Sequence, residues 1–187
     1  MTIAIYGGSF DPPHMAHVLA VKHVLTLDEV SRVIVVPVFQ HALDKSLSPF
    51  EIRLAMCRRA FGDDDRVTVS DIERDLPRPS YTLHTVEELR RAYPNTAFRL
   101  VVGGDVLGET SRWRRFDELE NLAPLLVLGR AGVDEPGAPE AVLPAVSSTE
   151  ARTWWGNHVP EEARKRRELL IPEAVREVIE SEGLYGA

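Results

Sequence analysis

The sequence predicts one α/β domain in which a doubly wound parallel sheet of about five to six strands carries helices on both faces. Short apolar runs alternate with longer segments of helical period, a pattern typical of buried parallel strands joined by helices. The length of 187 residues and the 44% of hydrophobic residues suffice for one sizeable core but are small for two. We therefore expect a single domain over residues 1–187.

Six segments are expected to form strands, because each is short, apolar and bounded by glycine, proline or polar turn residues. They are residues 2–6, 32–37, 66–70, 96–102, 124–128 and, as a short last strand, 142–146. Helices are expected over 15–27, 49–61, 116–121, 147–155 and 172–182, and another is expected to begin at Ser80. Ser48, Ser80 and Ser147 are the expected N-caps, and Trp154 and Trp155 are expected to belong to the core.

The first strand, the first helix and the second strand have the spacing of a β-α-β unit. Such a unit has a right-handed crossover, and its strands are parallel. The turn at residues 7–17 is therefore expected at the carboxyl end of the sheet, where ligands bind.

The composition restricts the classes of partner. The formal net charge of −7 argues against nucleic acid or an anionic membrane as the main partner, so phosphate binding must be local. No basic segment precedes an apolar one at the N-terminus and no apolar run reaches membrane-spanning length, so we expect a cytoplasmic protein without membrane contact. The single Cys57 is expected to be a buried thiol. The sequence does not fix the oligomeric state, and a homo-oligomer stays open.

The turn at residues 7–17 carries the strongest chemical signal. Gly7 and Gly8 have no Cβ, so the backbone can turn sharply and let an anion approach its N–H groups. His14 and His17 are three residues apart, so both imidazoles lie on one side of the first helical turn, beside its unpaired N–H groups. We expect both rings to donate to phosphate oxygens, with pKa values near neutrality. The alternatives are an ordinary turn and a metal site, although no Cys, Asp or Glu partner stands at metal-site spacing.

Two later segments combine backbone N–H groups with polar side chains. Gly103 ends a buried strand, and Asp105 is placed either to accept hydrogen bonds from ribose hydroxyls or to cap a helix. Ser147 and Glu150 have the spacing of a capping box. Arg152 lies on the same helical turn, where a guanidinium and free N–H groups suit a phosphate.

The sequence Gly-Gly-Ser-Phe-Asp-Pro-Pro-His-Met-Ala-His at 7–17 closely resembles the signature of the nucleotidylyltransferase superfamily. Later motifs follow in the order of nicotinate mononucleotide adenylyltransferases: Ser-Tyr-Thr-x-x-Thr, Gly-Gly-Asp, a tryptophan, Ser-Ser-Thr-x-x-Arg and a Gly-Leu-Tyr ending. The resemblance spans nearly the full chain. It implies a Rossmann-like fold and the transfer of AMP from ATP to nicotinate mononucleotide, which gives deamido-NAD and pyrophosphate in NAD biosynthesis.

The resemblance also implies roles for individual residues. The catalytic set comprises His14, His17, Lys45 and Arg152. The ATP contacts comprise Gly7, Gly8, Ser9, Phe10, Gly103, Asp105, Arg130, Ser148 and Thr149. The acceptor contacts comprise Ser80, Tyr81, Thr82, Thr85 and Trp113. Mg²⁺ is implied as an ion bridging triphosphate oxygens, without metal ligands from the protein. From the residues alone, Trp113 is equally well a half-buried anchor of a loop.

Three departures from the family pattern bear on activity. Ala16 replaces the glycine of His-x-Gly-His and faces the sheet, so we expect looser packing without loss of activity. Ala151 replaces the usual isoleucine. His-Ala-Leu-Asp-Lys at 41–45 replaces Pro-Pro-His-Lys, so the lysine role falls to Lys45, with a solvated loop lysine as the alternative and Arg53 or His41 next in line.

Other functions stay open at this point. Nicotinamide mononucleotide differs from the nicotinate acceptor only at the carboxylate. Phosphopantetheine adenylyltransferases are similar at the first motif. Finally, the three departures leave room for a nucleotide-binding module without turnover.

Overall fold

The computed structural model describes residues 1–40, 46–156 and 158–187. Within them six strands form one sheet in the order β3-β2-β1-β4-β5-β6, and every neighbouring pair is parallel. The strands are β1 Thr2–Gly8, β2 Val30–Pro37, β3 Val67–Val69, β4 Ala97–Gly103, β5 Leu125–Arg130 and β6 Ala141–Leu143. The predicted parallel α/β sheet is confirmed.

Seven helices surround this sheet in the described part of the chain. They are α1 Met15–Val24, α2 Phe50–Phe61, α3 Thr82–Ala92, α4 Phe116–Leu122, α5 Ser148–Arg152, α6 Glu161–Leu170 and α7 Glu173–Ser181. Short 3₁₀ segments occupy Ile72–Asp75, Gly104–Arg112 and Leu184–Gly186. No helix in the described ranges is long and apolar enough to cross a membrane.

Helices pack on both faces of the sheet, as a doubly wound fold requires. Successive residues of β1 alternate between the faces: Ala4 packs with α1, α2 and α7, whereas Ile3 and Ile5 pack with α3 and α4. On the first face Ala16 and Ala20 of α1 are buried, so the methyl of Ala16 is accommodated within the core.

Several boundaries differ from those expected. The residue before α2 is Pro49 and the residue before α3 is Tyr81, so Ser48 and Ser80 do not cap these helices. Both serines hydrogen-bond to distant segments instead. Helix α5 ends at Arg152, yet Trp154 and Trp155 are buried as expected. The 3₁₀ segment after β4 is not evident in the sequence, because a 3₁₀ helix lacks the apolar period of an α-helix.

The strand order places the crevice of the fold. The chain winds to one side of β1 through β2 and β3, and to the other side through β4, β5 and β6. Ligands in open α/β sheets bind at such a switch point, at the carboxyl ends of the strands. Here that point lies between Gly8 at the end of β1 and Gly103 at the end of β4.

Candidate active site

Two stacked histidines stand at the start of α1. The imidazole rings of His14 and His17 have centroids 3.6 Å apart and planes 19° apart. His14 is the residue before the helix, and its backbone N–H donates to Nδ1 of His17 at 3.1 Å. A neutral His17 ring therefore carries its proton on Nε2, which makes that atom a hydrogen-bond donor. The expected placement of both rings on one side of the first turn is confirmed.

Burial controls the protonation of this pair. Removal from water, followed by the charge of Arg130, lowers the pKa of His14 to about 3. Burial, followed by the charges of His14 and Arg130, lowers the pKa of His17 well below its usual value. Both rings are thus neutral at neutral pH. The expectation of near-neutral pKa values was wrong, because packing behind the turn keeps water from the rings.

Phe10 supports the histidines from within the core. Its side chain is only 1% exposed, and its ring meets the ring of His17 edge-on at 4.9 Å between centroids. The ring also covers Gly8, where an added Cβ would lie 3.0 Å from it. Any contact of Phe10 with ATP is therefore restricted to its backbone.

Helix α5 holds the same turn, residues 7–17, which we call the phosphate turn. Arg152 donates from Nη1 to the carbonyl of Asp11 at 2.8 Å, and Ser148 donates from Oγ to the carbonyl of Pro12 at 2.9 Å. Arg152 also donates to Oγ1 of Thr149 at 3.3 Å. An arginine has five N–H groups, so donors remain for a ligand. Ser147 accepts from the N–H of Glu150 at 3.2 Å, which confirms it as the N-cap.

Arg53 of α2 is a buried brace for three backbone segments. Its guanidinium donates to the carbonyls of Ser48 at 2.9 Å, Ser9 at 2.9 Å and Phe39 at 3.4 Å. The side chain is 1% exposed. Arg53 therefore positions the phosphate turn and does not reach into the crevice. Lys45 and His41 lie outside the described residues.

Arg130 and Asp105 line the other wall of the crevice. Nη2 of Arg130, at the end of β5, lies 3.1 Å from Oδ2 of Asp105, and both side chains are partly exposed. A cleft of about 230 Å³ opens beside Arg130, and Gly132, Val146, Ser147 and Glu150 are among its lining residues. In the absence of a ligand, the carboxylate predicted to bind ribose is thus occupied by the predicted phosphate-binding arginine.

The residues predicted to bind the acceptor divide into buried and half-buried groups. Ser80 is tied to Gln40: the N–H of Ser80 donates to the Gln40 carbonyl at 3.0 Å, and its Oγ accepts from the Gln40 N–H at 3.2 Å. Thr85 is 3% exposed and donates to Oε1 of buried Glu73 at 2.8 Å. Oε2 of Glu73 in turn accepts from the N–H of Phe39 at 2.8 Å. The hydroxyl of Thr85 therefore supports the site from behind.

The second group is half-buried. Together with the exposed Arg114 it forms a set that we call the acceptor face, made of Tyr81, Thr82, Trp113 and Arg114. The guanidinium of Arg114 lies 4.9 Å from the centroid of the Tyr81 ring. Trp113 is half-buried and packs edge-on against Phe116 with centroids 6.3 Å apart. By helix geometry the first backbone N–H groups of α3 have no partner within the helix. The face therefore brings an aromatic ring and a cation together at the start of α3.

The cytidylyltransferase-like family matches residues 5–154, which is most of the chain. A probable nicotinate-nucleotide adenylyltransferase of Anaeromyxobacter dehalogenans is 42% identical over 98% of this chain and 96% of its own length. A probable nicotinate-nucleotide adenylyltransferase of Thermus thermophilus is 34% identical over 99% of this chain and all of its own. The chain belongs to the nicotinate-nucleotide adenylyltransferase family.

Solved structures agree with this adenylyltransferase family in fold. A Plasmodium falciparum nicotinic acid mononucleotide adenylyltransferase complexed with NaAD superposes with a TM-score of 0.82 at 20% identity, over 98% of this chain and 97% of that one. A structure of the enzyme from the same organism complexed with APC gives a TM-score of 0.78. The match to the complex with NaAD covers almost the full length of both chains, so this chain shares the fold of that structure.

Some residues that shape this adenylyltransferase site carry little signal in the sequence. Asp11 has the character of a turn former, Glu73 lies in a polar link and Tyr185 belongs to an ending motif, yet all three make contacts between distant segments. Their common signal is a polar side chain beside apolar or proline residues. That signal is weak, because burial of a polar group is decided by long-range packing.

Proposed function

We propose that this chain transfers AMP from ATP to nicotinate mononucleotide, giving deamido-NAD and pyrophosphate. The observation that carries the proposal is the stacked pair of His14 and His17, at the N-terminus of α1 and at the switch point of the sheet. The helix start supplies free N–H groups and a positive dipole end, and the rings supply further donors. Such a site favours phosphate oxygens. The names of the relatives at 42% and 34% identity support the adenylyl donor and the nicotinate acceptor.

The reaction needs positioning and charge neutralisation more than acid-base chemistry. The acceptor's phosphate is already an anion at neutral pH, so its oxygen attacks the α-phosphorus in line without a general base. The new phosphorus–oxygen bond replaces the bond to the leaving pyrophosphate. We assign to His14, His17, Arg152 and Lys45 the role of donating to the transferring and leaving phosphates.

Each substrate has a separate part of the crevice. The cleft beside Arg130 and Ser147 takes the adenosine end of ATP, and opening of the pair between Arg130 and Asp105 frees the carboxylate for the ribose. The acceptor face takes the pyridine ring, with Trp113 beneath it and the start of α3 at its carboxylate.

Mg²⁺ is treated as part of the MgATP substrate. In residues 1–40, 46–156 and 158–187, no group of three or more His, Cys, Asp or Glu side chains is arranged to hold a metal. Mg²⁺ prefers oxygen ligands and retains water, and triphosphate oxygens meet that preference. The cation then neutralises charge on the leaving pyrophosphate. A cytoplasmic location, where ATP is supplied, fits this reaction and stays a prediction.

Pyrophosphate release tests the proposal directly. Purified protein and MgATP are combined with one acceptor in each of three separate reactions. The acceptors are nicotinate mononucleotide, nicotinamide mononucleotide and phosphopantetheine. We expect rapid release only with a pyridine mononucleotide, fastest with nicotinate. Release with phosphopantetheine alone would assign a different acceptor. Binding of ATP without release in any mixture would indicate a nucleotide-binding module.

A further inference from the structure

Asp11 is a junction between segments that are far apart in the sequence. Its side chain is 2% exposed, and Oδ2 accepts from the backbone N–H of Ser48 at 3.0 Å. Oδ1 accepts from the hydroxyl of Tyr185 at 2.5 Å, across 174 residues of sequence. A buried carboxylate is costly unless hydrogen bonds replace its water. The phosphate turn therefore depends on a donor that comes from the last three residues of the chain.

The backbone at Tyr185 is in an unfavourable conformation. Its φ of 57° and ψ of 15° lie in the left-handed region, which is unfavourable for a residue with a Cβ. The side chain explains why the conformation persists: its ring tilts against Trp155 with centroids 5.9 Å apart, and its hydroxyl reaches both Asp11 and Oγ of Ser48. Strained residues held by their surroundings cluster at functional sites.

The junction is only three residues from the histidine pair. Helix α5 holds the backbone of the phosphate turn at Asp11 and Pro12, while Tyr185 holds the carboxylate of Asp11. These contacts fix the direction in which the chain enters α1. Because a misplacement of about 1 Å can cost roughly a hundredfold in rate, small rotations of this turn matter for catalysis.

We propose that Tyr185 is a positioning residue of the active site: its hydroxyl, through Asp11, sets where His14 and His17 meet the transferring phosphate. This role rests on the proposed function. Burial, followed by the hydrogen bond to Asp11, raises the pKa of the Tyr185 hydroxyl, so the group stays a protonated donor throughout the neutral range. The last turn of the chain is then part of the catalytic architecture.

Tyr185→Phe tests the role, because phenylalanine keeps the ring on Trp155 and removes only the hydroxyl. We expect kcat to fall about fivefold to tenfold, with the KM for the acceptor changed less than about twofold, since the hydroxyl bonds to Asp11 and Ser48 and not to the acceptor face. Tyr93→Phe, at a partly exposed tyrosine beyond the end of α3, is the matched control and should leave kcat and KM unchanged. All rates are measured well below the melting temperature of each variant.

Two further measurements separate positioning from a general structural effect. The imidazole NMR signals of His14 and His17 should move in Tyr185→Phe and stay in place in Tyr93→Phe. The kcat losses of Tyr185→Phe and Asp11→Asn should overlap in the double variant, because both act through one hydrogen bond. Additive losses, unmoved imidazole signals or a normal kcat in Tyr185→Phe would each overturn the role.

The wild-type measurement keeps the two proposals distinguishable. A wild type that releases no pyrophosphate with any acceptor contradicts the proposed function itself. An active wild type with an unaffected Tyr185→Phe variant leaves the function standing and removes only the positioning role. Because the single variant decides this point, the conclusion does not depend on whether Asp11→Asn folds.

Discussion

The phosphate turn and the acceptor face are built in opposite ways. The phosphate turn is held by hydrogen bonds from three other segments of the chain, made by the buried Arg53 and the half-buried Ser148, Arg152 and Tyr185. The acceptor face consists of partly exposed rings and guanidinium groups that touch one another in pairs, such as Arg114 over Tyr81. In the first region, polar side chains pair with groups that are distant in the sequence. The second presents surface.

The difference reflects what each substrate group demands. Charge develops in a fixed direction when a phosphate is transferred, so donors are most effective when they are held in place beforehand. A flat aromatic ring can instead be gripped by stacking, which tolerates small shifts. We therefore expect substitutions in the phosphate turn to change kcat and substitutions on the acceptor face to change the acceptor KM.

The largest expected effect comes from His17, the more firmly oriented of the two rings. Replacing it with alanine should lower kcat by roughly a hundredfold or more, the scale of losing one transition-state donor. Alanine is a strong helix former, so the fold should persist, as circular dichroism can check. His23→Ala on the same helix is the control. A folded His17→Ala protein with near-normal turnover would remove the contrast between the two regions.

The choice between two acceptors tests the acceptor face, and the expected effect is similar in size to that of His17→Ala. The backbone N–H groups at the start of α3 can donate hydrogen bonds to the carboxylate of nicotinate. The amide of nicotinamide would instead bring its own N–H donors against these N–H groups. We expect kcat/KM for nicotinate mononucleotide to exceed that for nicotinamide mononucleotide by at least about a hundredfold, or roughly 2.7 kcal/mol. Comparable efficiencies in one pyrophosphate-release assay would leave only a general pyridine-nucleotide adenylyltransferase.

Lys45 is also assigned to phosphate binding, and it lies outside the described residues. If its ammonium reaches the triphosphate, Lys45→Ala should weaken ATP use by about 1 to 3 kcal/mol, the usual value of a charged hydrogen bond. Lys22→Ala, at an exposed lysine on α1, is the control. Steady-state kinetics with varied ATP make the comparison. Unchanged ATP kinetics would mean that Lys45 is a solvated loop lysine without a role in ATP binding. Arg53 would not take over this role, because its guanidinium is hydrogen-bonded to backbone carbonyls.

A smaller and more selective effect is expected at Trp113. Trp113→Ala should raise the acceptor KM about tenfold, which is within the range for loss of one aromatic stack, and change the ATP KM much less. Trp113→Phe keeps a flat ring and should retain most of the affinity. Equal increases in both KM values would make Trp113 a structural anchor of its loop and not a contact of the acceptor.

The smallest expected effect is the uptake of a proton when MgATP binds. Burial leaves the histidine pair neutral, with the pKa of His14 at about 3, and the negative triphosphate favours the charged form. A group whose pKa rises on binding takes up protons at pH values between the free and the bound pKa. MgATP binding should therefore take up a fraction of a proton at pH values above the free pKa of His14, about 3. Calorimetry in buffers of different ionisation enthalpy measures it, and His14→Ala should reduce it; heats that are equal in every buffer would contradict the argument.

Local pattern was sufficient for the strands and for the main chemistry. The apolar runs of β1 and β2 and the glycines after β1 and β4 follow from steric and hydrophobic rules that act over a few residues. The three-residue spacing of His14 and His17 likewise suffices to place both rings on one helical turn. These features are local, so a sequence can state them.

Boundaries and protonation depended on distant partners. Ser48 and Ser80 look like helix caps in sequence, but each forms its hydrogen bonds with another segment, Asp11 for one and Gln40 for the other. The pKa values of the histidines could not be predicted for the same reason. A cap or a pKa depends on which groups are within a few ångströms, and the partners here are dozens of residues away.

The sequence by itself determined the parallel α/β architecture, the placement of His14 and His17 on one helical turn and the family. Only the tertiary structure decided which polar residues face the crevice and which support it from behind. Thr85 and Arg53 support the crevice from behind. The hydroxyl of Thr85 is hydrogen-bonded to Glu73, and the guanidinium of Arg53 is hydrogen-bonded to backbone carbonyls. The physical reason is that a polar side chain satisfies whatever donor or acceptor the packed chain brings to it, and that pairing is a property of the whole fold.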